Sequence, residues 1–460
     1  MASKSKFQAI RGTRDLLPPD TALWNRVEQA AHEVFATYGF GEIRPPIIED
    51  ANLFAQSIGV ETDIVSKEMY TFPETAPQSD ADPSRFPPLE TSWISLRPEG
   101  TASVCRAYIE HNMQQLPQPV KLYYMGPMFR RERPQKGRHR QFYQIGAEIL
   151  GGPDAPAIDA ELIEMLMTFF EKCGLQGTEL SINSIGHAAD NCRRGYVAKL
   201  KAELEKVKDK LGADSQRRIE TNPLRVLDSK LEHEQPIIEK LPRIADHLCD
   251  ECKTHYAVVK RDLDLRGVQY RENWRLVRGL DYYMRTTFEI TAQGLGSQNA
   301  VCGGGRYDGL VELLGGLPTK GIGFAIGEDR LILSLQEQAK AKAPTTGEMS
   351  SAISGKASVT GTLTNLTAPD VLIAWMGPNA YTTAIRAAKT LRNAGYRVEL
   401  PATELKFGKA LERASKLGSR FALILGEDEV SSGMWTVKNL ADGTQTKMYG
   451  SAVVEFLKRG

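Results

Sequence analysis

A short stretch of the chain combines a dense group of cations with a strand that carries a polar face. Between Arg130 and Arg140 there are six Lys/Arg residues and a single acidic residue, Glu132. This charge density suits a polyanion: a nucleotide triphosphate, a nucleic-acid backbone or both. A solvated surface turn would account for the charges equally well in isolation, since charge runs usually face water. The strand after the loop favours the functional interpretation.

Residues 141 to 150 alternate with the period of a β-strand. Phe142, Gln144, Gly146 and Glu148 share one face, and the opposite face is apolar. Gln144 and Glu148 therefore present two polar groups, with open space predicted at Gly146 between them. Such a face would form the floor of a pocket for a small polar ligand.

Charged residues elsewhere could bind the other parts of such a ligand. Glu99 precedes a helix that is predicted to begin near Ala102 with Thr101 as its cap. At this corner a carboxylate can reach into a cavity and bind a substrate ammonium. Arg278 is followed by Gly279, which frees the backbone so that the guanidinium can bind a phosphate oxygen and a carboxylate oxygen at once.

Three further features lie in the second half of the chain. Tyr282 and Tyr283 offer rings and hydroxyls to a cavity. Arg330 lies in the first turn of a predicted helix, directly after a strand that ends at Gly327. Residues 302–310 (CGGGRYDGL) predict a glycine-rich turn that brings backbone close to a ligand. The sequence contains no Walker phosphate-binding loop.

The six cysteines are scattered, which is typical of reduced thiols in a cytosolic protein. His247, Cys249, Cys252 and His255 could together supply four zinc ligands. Their helical context and the His-x-Cys spacing favour structural residues instead. We therefore predict no metal site.

Apolar periodicity predicts the elements that hold these side chains. A helix over residues 20–38 precedes a strand over 41–44, and an amphipathic helix over 159–173 covers the sheet. From 184 to 270 the pattern is helical and charged, without a chemical motif. Residues 340–369 predict a tether, and the strands and helices that alternate after it predict a small α/β domain.

The chain length and the net charge limit the number of domains and the kinds of partner that can be expected. A chain of 460 residues with 41% hydrophobic residues predicts two or three domains. The net charge of +1 means that nucleic acid would bind to local patches. The N-terminus lacks an apolar signal segment, and no run approaches the roughly 18 apolar residues that span a membrane. We expect no membrane partner.

The motifs resemble those of a known family. Arg130-x-Glu132, the loop and Gln144-x3-Glu148 resemble motif 2 of the class II aminoacyl-tRNA synthetases, and the wording GPMFRRERPQKGRHRQFYQ is similar to histidyl-tRNA synthetases. Residues 274–290 (WRLVRGLDYYMRTTFEI) resemble a second motif of the latter, and residues 321–333 (GIGFAIGEDRLIL) resemble motif 3. The helix and strand over 20–44 are similar to motif 1.

The resemblance implies an α+β fold: a class II synthetase antiparallel-sheet catalytic domain with a helical insertion, plus a C-terminal α/β anticodon-binding domain. The implied catalytic domain comprises residues 1–183 and 271–338. The insertion would span 184–270, the linker 339–369 and the anticodon-binding domain 370–460.

The resemblance also implies the roles of individual residues. Arg130 and Arg278 would be catalytic at the α-phosphate of ATP. L-histidine would be bound by Glu99, Thr101, Gln144, Glu148, Tyr282 and Tyr283. ATP, a substrate that enters with Mg²⁺, would contact Arg130, Glu132, Arg138 and Arg330. tRNA(His) would contact Arg133 and Arg140.

The implied function is that of a histidine–tRNA ligase, acting as a cytoplasmic homodimer. The alternative is a catalytically silent, histidine-sensing synthetase paralogue that regulates histidine biosynthesis. Such relatives lack the C-terminal domain and have eroded motifs, whereas the arginines and the terminal domain are present here. A nucleic-acid-binding module without catalysis would leave Gln144, Glu148 and the two tyrosines unexplained.

Overall fold

The computed structural model describes residues 7–59, 62–74, 92–278, 280, 282–293, 299–342 and 369–459. Most of the loop predicted between Pro73 and Trp93, most of the predicted tether, and Gly279 lie outside these residues. The chain divides into two compact units, Met1–Asp15 with Asn25–Pro344 and Leu16–Trp24 with Thr345–Gly460. None of the described helices is long and apolar enough to cross a membrane.

The described strands before residue 343 are β1 Gly41–Glu42, β2 Ile48–Asp50, β3 Tyr70–Pro73, β4 Trp93–Leu96, β5 Val120–Phe129, β6 Gln141–Leu150, β7 Glu179–Ser184, β8 Arg271–Glu272, β9 Met284–Thr291, β10 Ala300–Arg306 and β11 Gly321–Gly327. The described helices of this part are α1 Asp20–Thr37, α2 Ala51–Ile58, α3 Thr101–Glu110, α4 Pro156–Cys173, α5 Arg193–Glu205, α6 Ala213–Thr221, α7 Gln235–Ile238, α8 Asp250–Leu265, α9 Leu310–Leu313 and α10 Glu328–Lys342.

Within the described residues, eight strands form one sheet in the order β1-β5-β6-β11-β10-β9-β7-β8. The neighbours pair antiparallel except at the two edges, where β1 with β5 and β7 with β8 run parallel. The predicted hairpin is formed by β5 and β6, paired from Val120↔Leu150 to Phe129↔Gln141. The predicted antiparallel sheet is confirmed. Strands β2, β4 and β3 form a separate small sheet.

Helices α1 and α4 cover one face of this sheet because their apolar stripes meet it. The ring of Phe35 in α1 lies 5.5 Å from that of Phe169 in α4 and 6.0 Å from that of Phe324 in β11. All three side chains are buried, and each contributes about 1.5–3 kcal/mol of hydrophobic stabilisation. Helix α4 ends where Gly174 adopts a left-handed conformation.

The glycine-rich segment predicted as a turn over residues 302–310 is a turn only at residues 308–309, and residues 302–306 are a strand instead. They belong to β10, which lies between β9 and β11, with Gly304 opposite Phe288 and Phe324. A Cβ atom on Gly304 would lie 2.4 Å from the carbonyl oxygen of Gly323 and 2.5 Å from the Phe288 ring. Glycine is therefore required because the neighbouring strands and the Phe288 ring come too close for a side chain. The run of glycines signalled close packing rather than chain reversal.

Helices α5 to α8 lie between β7 and β8, in the segment predicted to be a helical insertion. They enclose a hydrophobic core of their own, to which Tyr196, Leu200 and Ile219 contribute. Tyr283, near the start of β9, packs against the same core. This contact links the helical segment to the predicted histidine-binding region.

The second unit contains strands β12 Val371–Trp375, β13 Val398–Glu399, β14 Phe421–Leu425, β15 Met434–Asn439 and β16 Gln445–Tyr449, and helices α11 Pro378–Asn393, α12 Phe407–Lys416, α13 Glu427–Ser432 and α14 Val453–Arg459. The sheet order is β13-β12-β14-β15-β16, with the first three strands parallel and the last two antiparallel. The predicted α/β domain is confirmed. The predicted linker, however, begins too early, because α10 continues to Lys342.

Candidate active site

A cavity of about 240 Å³ brings together three guanidinium groups that are far apart in the sequence: Arg130, Arg278 and Arg330. These arginines come from the end of β5, from the segment before β9 and from the first turn of α10. The other predicted residues that line the cavity are Glu99, Thr101, Glu132, Arg138, Gln144, Tyr282 and Tyr283. The fold therefore assembles most of the predicted site around one space.

Glu99, not Thr101, caps helix α3. The carboxylate of Glu99 accepts the backbone N–H groups of Thr101 at 2.8 Å and Ala102 at 2.9 Å. The prediction that Thr101 caps the helix is wrong, because its hydroxyl turns away to Glu148. Burial raises the pKa of the Glu99 carboxyl, while these two N–H bonds and the charge of Arg130 oppose the rise. Capping holds the carboxylate in place at the cavity wall.

Glu148 lies fully buried beneath that wall. Its Oε1 accepts the Thr101 hydroxyl at 2.7 Å, and its Oε2 accepts the Tyr307 hydroxyl at 2.5 Å. Gly323 on the paired strand leaves room for it, because a Cβ atom there would lie 1.7 Å from Oε2. Burial raises the pKa of Glu148 to about 8. Glu148 does not line the cavity itself, but it holds the hydroxyl of Thr101, which does.

The open space predicted at Gly146 does not exist. A Cβ atom on Gly146, or on Gly100, would lie 2.2 Å from the ring of Tyr124. This buried ring occupies the room between Gln144 and Glu148. Gln144 itself lines the cavity, and its buried Oε1 has no hydrogen-bond partner within the described part of the chain. Gln144 therefore faces the cavity, while the Tyr124 ring fills the space that was predicted to be open.

Arg278 is held in a cradle on the side of the cavity formed by β9 and β10. Its Nη1 donates to Oε2 of Glu289 at 3.0 Å. A Cβ atom on Gly303 would lie 1.7 Å from its Nη2. The buried Nε of Arg278 has no hydrogen-bond partner among the described residues, an arrangement that suits an arginine awaiting an anionic ligand.

Arg330 and Arg138 lie together at another part of the wall. Arg330 donates from Nη1 to the carbonyl oxygen of Ala300 at 2.8 Å. Arg138 donates to Glu132 at 3.0 Å, and Arg130 lies 3.8 Å from the same carboxylate. Burial and the nearby Arg138 lower the pKa of Arg330, but a guanidinium remains charged at neutral pH. This part of the wall concentrates positive charge.

The two arginines predicted to contact tRNA lie in different environments. Arg133 is exposed on the loop between β5 and β6. Arg140 is partly buried; its backbone N–H donates to the carbonyl oxygen of Gly12 at 2.7 Å, and its side chain packs against Gly12. Neither residue lines the cavity. Both roles remain predictions.

Sequence reasoning missed several residues of the site. Glu289 orients Arg278, Tyr307 bonds Glu148, and Asp329 accepts the backbone N–H of Tyr143 at 2.8 Å and the Arg14 guanidinium at 2.7 Å. Glu289 could have been found as the one acidic residue in strand β9, MRTTFEIT. Tyr307 and Asp329 carry no comparable signal, because their partners are distant in the chain.

The four residues considered as zinc ligands from the sequence, His247, Cys249, Cys252 and His255, do not lie together in the structure. His247 stacks on Tyr196 and its Nε2 lies 3.4 Å from Nζ of Lys199. His255 lies 3.7 Å from Asp159. Cys249 and Cys252 instead lie near a different histidine, His187.

An antiparallel sheet that carries an arginine-lined cavity, with a separate C-terminal α/β domain, defines a class II aminoacyl-tRNA synthetase. Comparison with known proteins narrows this class. The family model for histidyl-tRNA synthetase matches residues 12–331, and the model for the anticodon binding domain matches residues 370–460.

Individual relatives agree with these models. The chain is 49% identical over 456 residues to a histidine–tRNA ligase of Koribacter versatilis, covering 98% of this chain and 96% of that protein. It is 48% identical to a histidine–tRNA ligase of Solibacter usitatus, covering 96% of each. A crystal structure of apo S. aureus histidyl-tRNA synthetase matches with a TM-score of 0.74 at 35% identity, covering 98% of this chain and all of that one. The chain therefore belongs to the histidyl-tRNA synthetase family, and the predicted family and fold class are confirmed.

Proposed function

We propose that the chain is a histidine–tRNA ligase that activates L-histidine with ATP and transfers it to tRNA(His). The observation that supports this most directly is the convergence of Arg130, Arg278 and Arg330 on one cavity. A triphosphate carries charge at several separate points, and cations spread along one wall match that distribution. The silent-paralogue alternative finds no support among the relatives.

In this proposal the histidine carboxylate attacks the α-phosphorus of ATP, and pyrophosphate leaves. The protein contributes position and charge neutralisation rather than covalent chemistry. Arg130 and Arg278 neutralise the α-phosphate, while Arg330, together with Arg138 and Glu132, holds the rest of the nucleotide. Support comes from the cradle of Arg278 and from the cations clustered around Arg330.

The amino end of histidine is assigned to Glu99, Thr101 and Gln144. Glu99 supplies an anion for the ammonium group, and the unpartnered Oε1 of Gln144 supplies an acceptor. Tyr282, Tyr283 and, through Thr101, Glu148 are assigned to the imidazole side. A site that pairs with polar atoms of its ligand rejects analogues lacking them by about 10⁴–10⁵, so no editing step is required.

ATP enters as its magnesium complex in this proposal. Magnesium prefers oxygen ligands, and the carboxylates of Glu132 and Glu289 line the cavity. These residues fit an ion that neutralises phosphate charge.

We assign a homodimer and a cytoplasmic location on separate grounds. The exposed apolar side chains of Ile48 and Phe72 lie on one face of the small sheet of β2, β3 and β4, and the exposed Trp93 lies at the start of β4. Exposed apolar surface of this kind favours association. Sedimentation equilibrium of the full chain would measure the dimer. All six cysteines are free thiols, which suits a reducing compartment.

Aminoacylation tests the function directly. The purified protein is expected to attach radiolabelled histidine to tRNA(His) in the presence of ATP, and to leave a tRNA of another specificity uncharged. Histidine binding without ATP–pyrophosphate exchange would contradict the proposal and favour the histidine-sensing alternative. Exchange without charging would separate amino-acid activation from transfer.

Arg133 and Arg140 are both assigned to tRNA, and Arg133, the exposed one of the two, is expected to act on tRNA alone. Arg133→Gln should raise the KM for tRNA(His) about 5- to 10-fold, since one phosphate contact is lost, and should leave ATP–pyrophosphate exchange unchanged. Lys172→Gln, at the exposed end of α4, removes the same charge and serves as the control. Equal effects of the two variants on KM would remove Arg133 from the tRNA surface.

A further inference from the structure

Four potential metal ligands converge at the base of the helical segment, away from the cavity. The Nδ1 or Nε2 atom of His187 and the sulfur atoms of Cys192, Cys249 and Cys252 all lie within 4.8 Å of one another. Among the residues that the structure describes, these four form the group of His, Cys, Asp or Glu side chains that is close enough together to hold a metal ion. None of the four residues lines the catalytic cavity.

The separations approach those of a four-coordinate metal site. Nδ1 of His187 lies 3.1 Å from the sulfur of Cys252 and 3.7 Å from that of Cys249. Bonds of about 2.3 Å to sulfur and 2.0–2.1 Å to nitrogen, in a tetrahedron, place ligand atoms about 3.5–3.8 Å apart. Small side-chain movements would bring the present cluster to that geometry.

The backbone around the cluster is arranged to hold it. Cys192 directly precedes α5, while Cys249 and Cys252 bracket the first turn of α8. The N-terminus of a helix stabilises thiolates, which are the form that binds metal. Backbone N–H groups of Cys249 and His187 donate to the Cys192 sulfur. Gly186 has φ +62°, and a Cβ atom on it would lie 2.7 Å from that sulfur.

We propose that His187, Cys192, Cys249 and Cys252 form a structural Zn²⁺ site. Three thiolates and one imidazole are the donor set that zinc prefers, and four protein ligands leave no open position for a reaction. The proposal replaces the earlier expectation that the cysteine pair is only structural and binds no metal. It does not depend on the assignment of the catalytic residues.

The site would tie the helical segment to the wall of the active site. Arg193, next to Cys192, donates to the carbonyl oxygen of Tyr283 at 2.5 Å. Glu251, between the two cysteines of α8, pairs with Arg285, which also binds Asp154 at 2.7 Å. A metal ion that fixes the starts of α5 and α8 would therefore also hold Tyr283 and Arg285, which flank the first residue of β9.

An alternative use of the same residues is a disulfide. Oxidation of two of the three thiols would form one disulfide bond. The third thiol and His187 would then be left without a covalent or metal link. A zinc site contains bound metal and reduced thiols, whereas a disulfide lowers the protein mass by two hydrogen atoms and removes two of the ligands. Metal analysis and mass spectrometry of one preparation therefore distinguish the two.

Elemental analysis of the full-length protein tests the proposal. Protein purified without chelator is expected to carry about one zinc ion per chain, and Cys252→Ser and His187→Ala should each lose most of it. Cys173→Ser changes a cysteine at the end of α4, outside the cluster, and should retain the metal. Zinc-free wild-type protein with all thiols reduced, or with a disulfide detected by mass, would overturn the proposal.

A second measurement covers the case in which the variants do not fold. Wild-type protein stripped by a chelator and titrated with Co²⁺ should develop sulfur-to-cobalt charge-transfer absorption and intense visible bands of a tetrahedral site, saturating at about one equivalent. Added Zn²⁺ should abolish these bands. Weak bands typical of octahedral cobalt would show that the thiolates do not bind the ion, and the proposal would fail.

Discussion

Replacing Arg278 by methionine should lower the rate of histidine-dependent ATP–pyrophosphate exchange by about 10²–10³-fold, the usual effect of removing one donor that stabilises developing charge. Arg278 lines the cavity, Glu289 orients it, and its Nε has no hydrogen-bond partner among the described residues. The loss should fall mainly on kcat, because the contact is strongest in the transition state. Arg261→Met, on the exposed face of α8, is the matched control.

Gly303→Ala tests the same contact without removing the arginine. The added Cβ atom would lie 1.7 Å from Nη2 of Arg278, so the guanidinium must leave its cradle. Exchange should fall nearly as far as in Arg278→Met. Gly408→Ala in α12 meets open space and should change nothing. An unaltered exchange rate in a folded Arg278→Met variant would exclude this arginine from the α-phosphate.

Replacing Glu148 by alanine should abolish measurable exchange. Glu148→Gln should lower kcat/KM for histidine by about 10-fold, since burial keeps the Glu148 carboxyl largely protonated at neutral pH and a hydrogen bond between neutral groups is worth about 0.5–1.5 kcal/mol. The carboxylate accepts two hydroxyl groups, those of Thr101 and Tyr307. The amide retains one acceptor and turns the other position into a donor. Thr101 would then lose the orientation in which it faces the ligand.

The pH dependence of stability provides an independent check on Glu148. Its pKa is about 8 in the folded protein, raised from 4.5 by burial. The folded state therefore holds a proton that the unfolded state releases, and the free energy of unfolding falls between about pH 4.5 and 8, by at most about 1.4 kcal/mol per pH unit. Glu148→Gln cannot titrate, so its stability relative to the wild type should improve with rising pH across this window.

Denaturant unfolding at several pH values measures that trend. Glu234→Gln provides the control: Glu234 is also buried, but it accepts the Gly212 N–H and the Ser215 hydroxyl, which together with Ser229 outweigh burial and lower its pKa. Its stability relative to the wild type should fall as the pH rises through the acidic range to about 4.5, and should stay constant between pH 4.5 and 8. A pH-independent difference between wild type and Glu148→Gln would mean that Glu148 ionises normally.

Local periodicity was enough to predict the parts of the molecule that depend on neighbouring residues. The two strands around the cationic loop, the polar face of Gln144 and Glu148, and the alternating strands and helices after residue 370 follow from repeats of 2 and 3.6 residues. The positions of Arg130 directly after a strand and of Arg330 in the first turn of a helix followed in the same way. Each of these features is determined by the sequence within about ten residues on either side of it.

Contacts between distant segments required the three-dimensional fold. Tyr124 fills the space at Gly146, Gly303 makes room for Arg278, and His187 with Cys192 meets the cysteine pair of α8. A periodic pattern states which face a side chain occupies but not which other segment packs against that face. That choice depends on the summed packing of the whole sheet and its helices, which no single stretch of sequence contains.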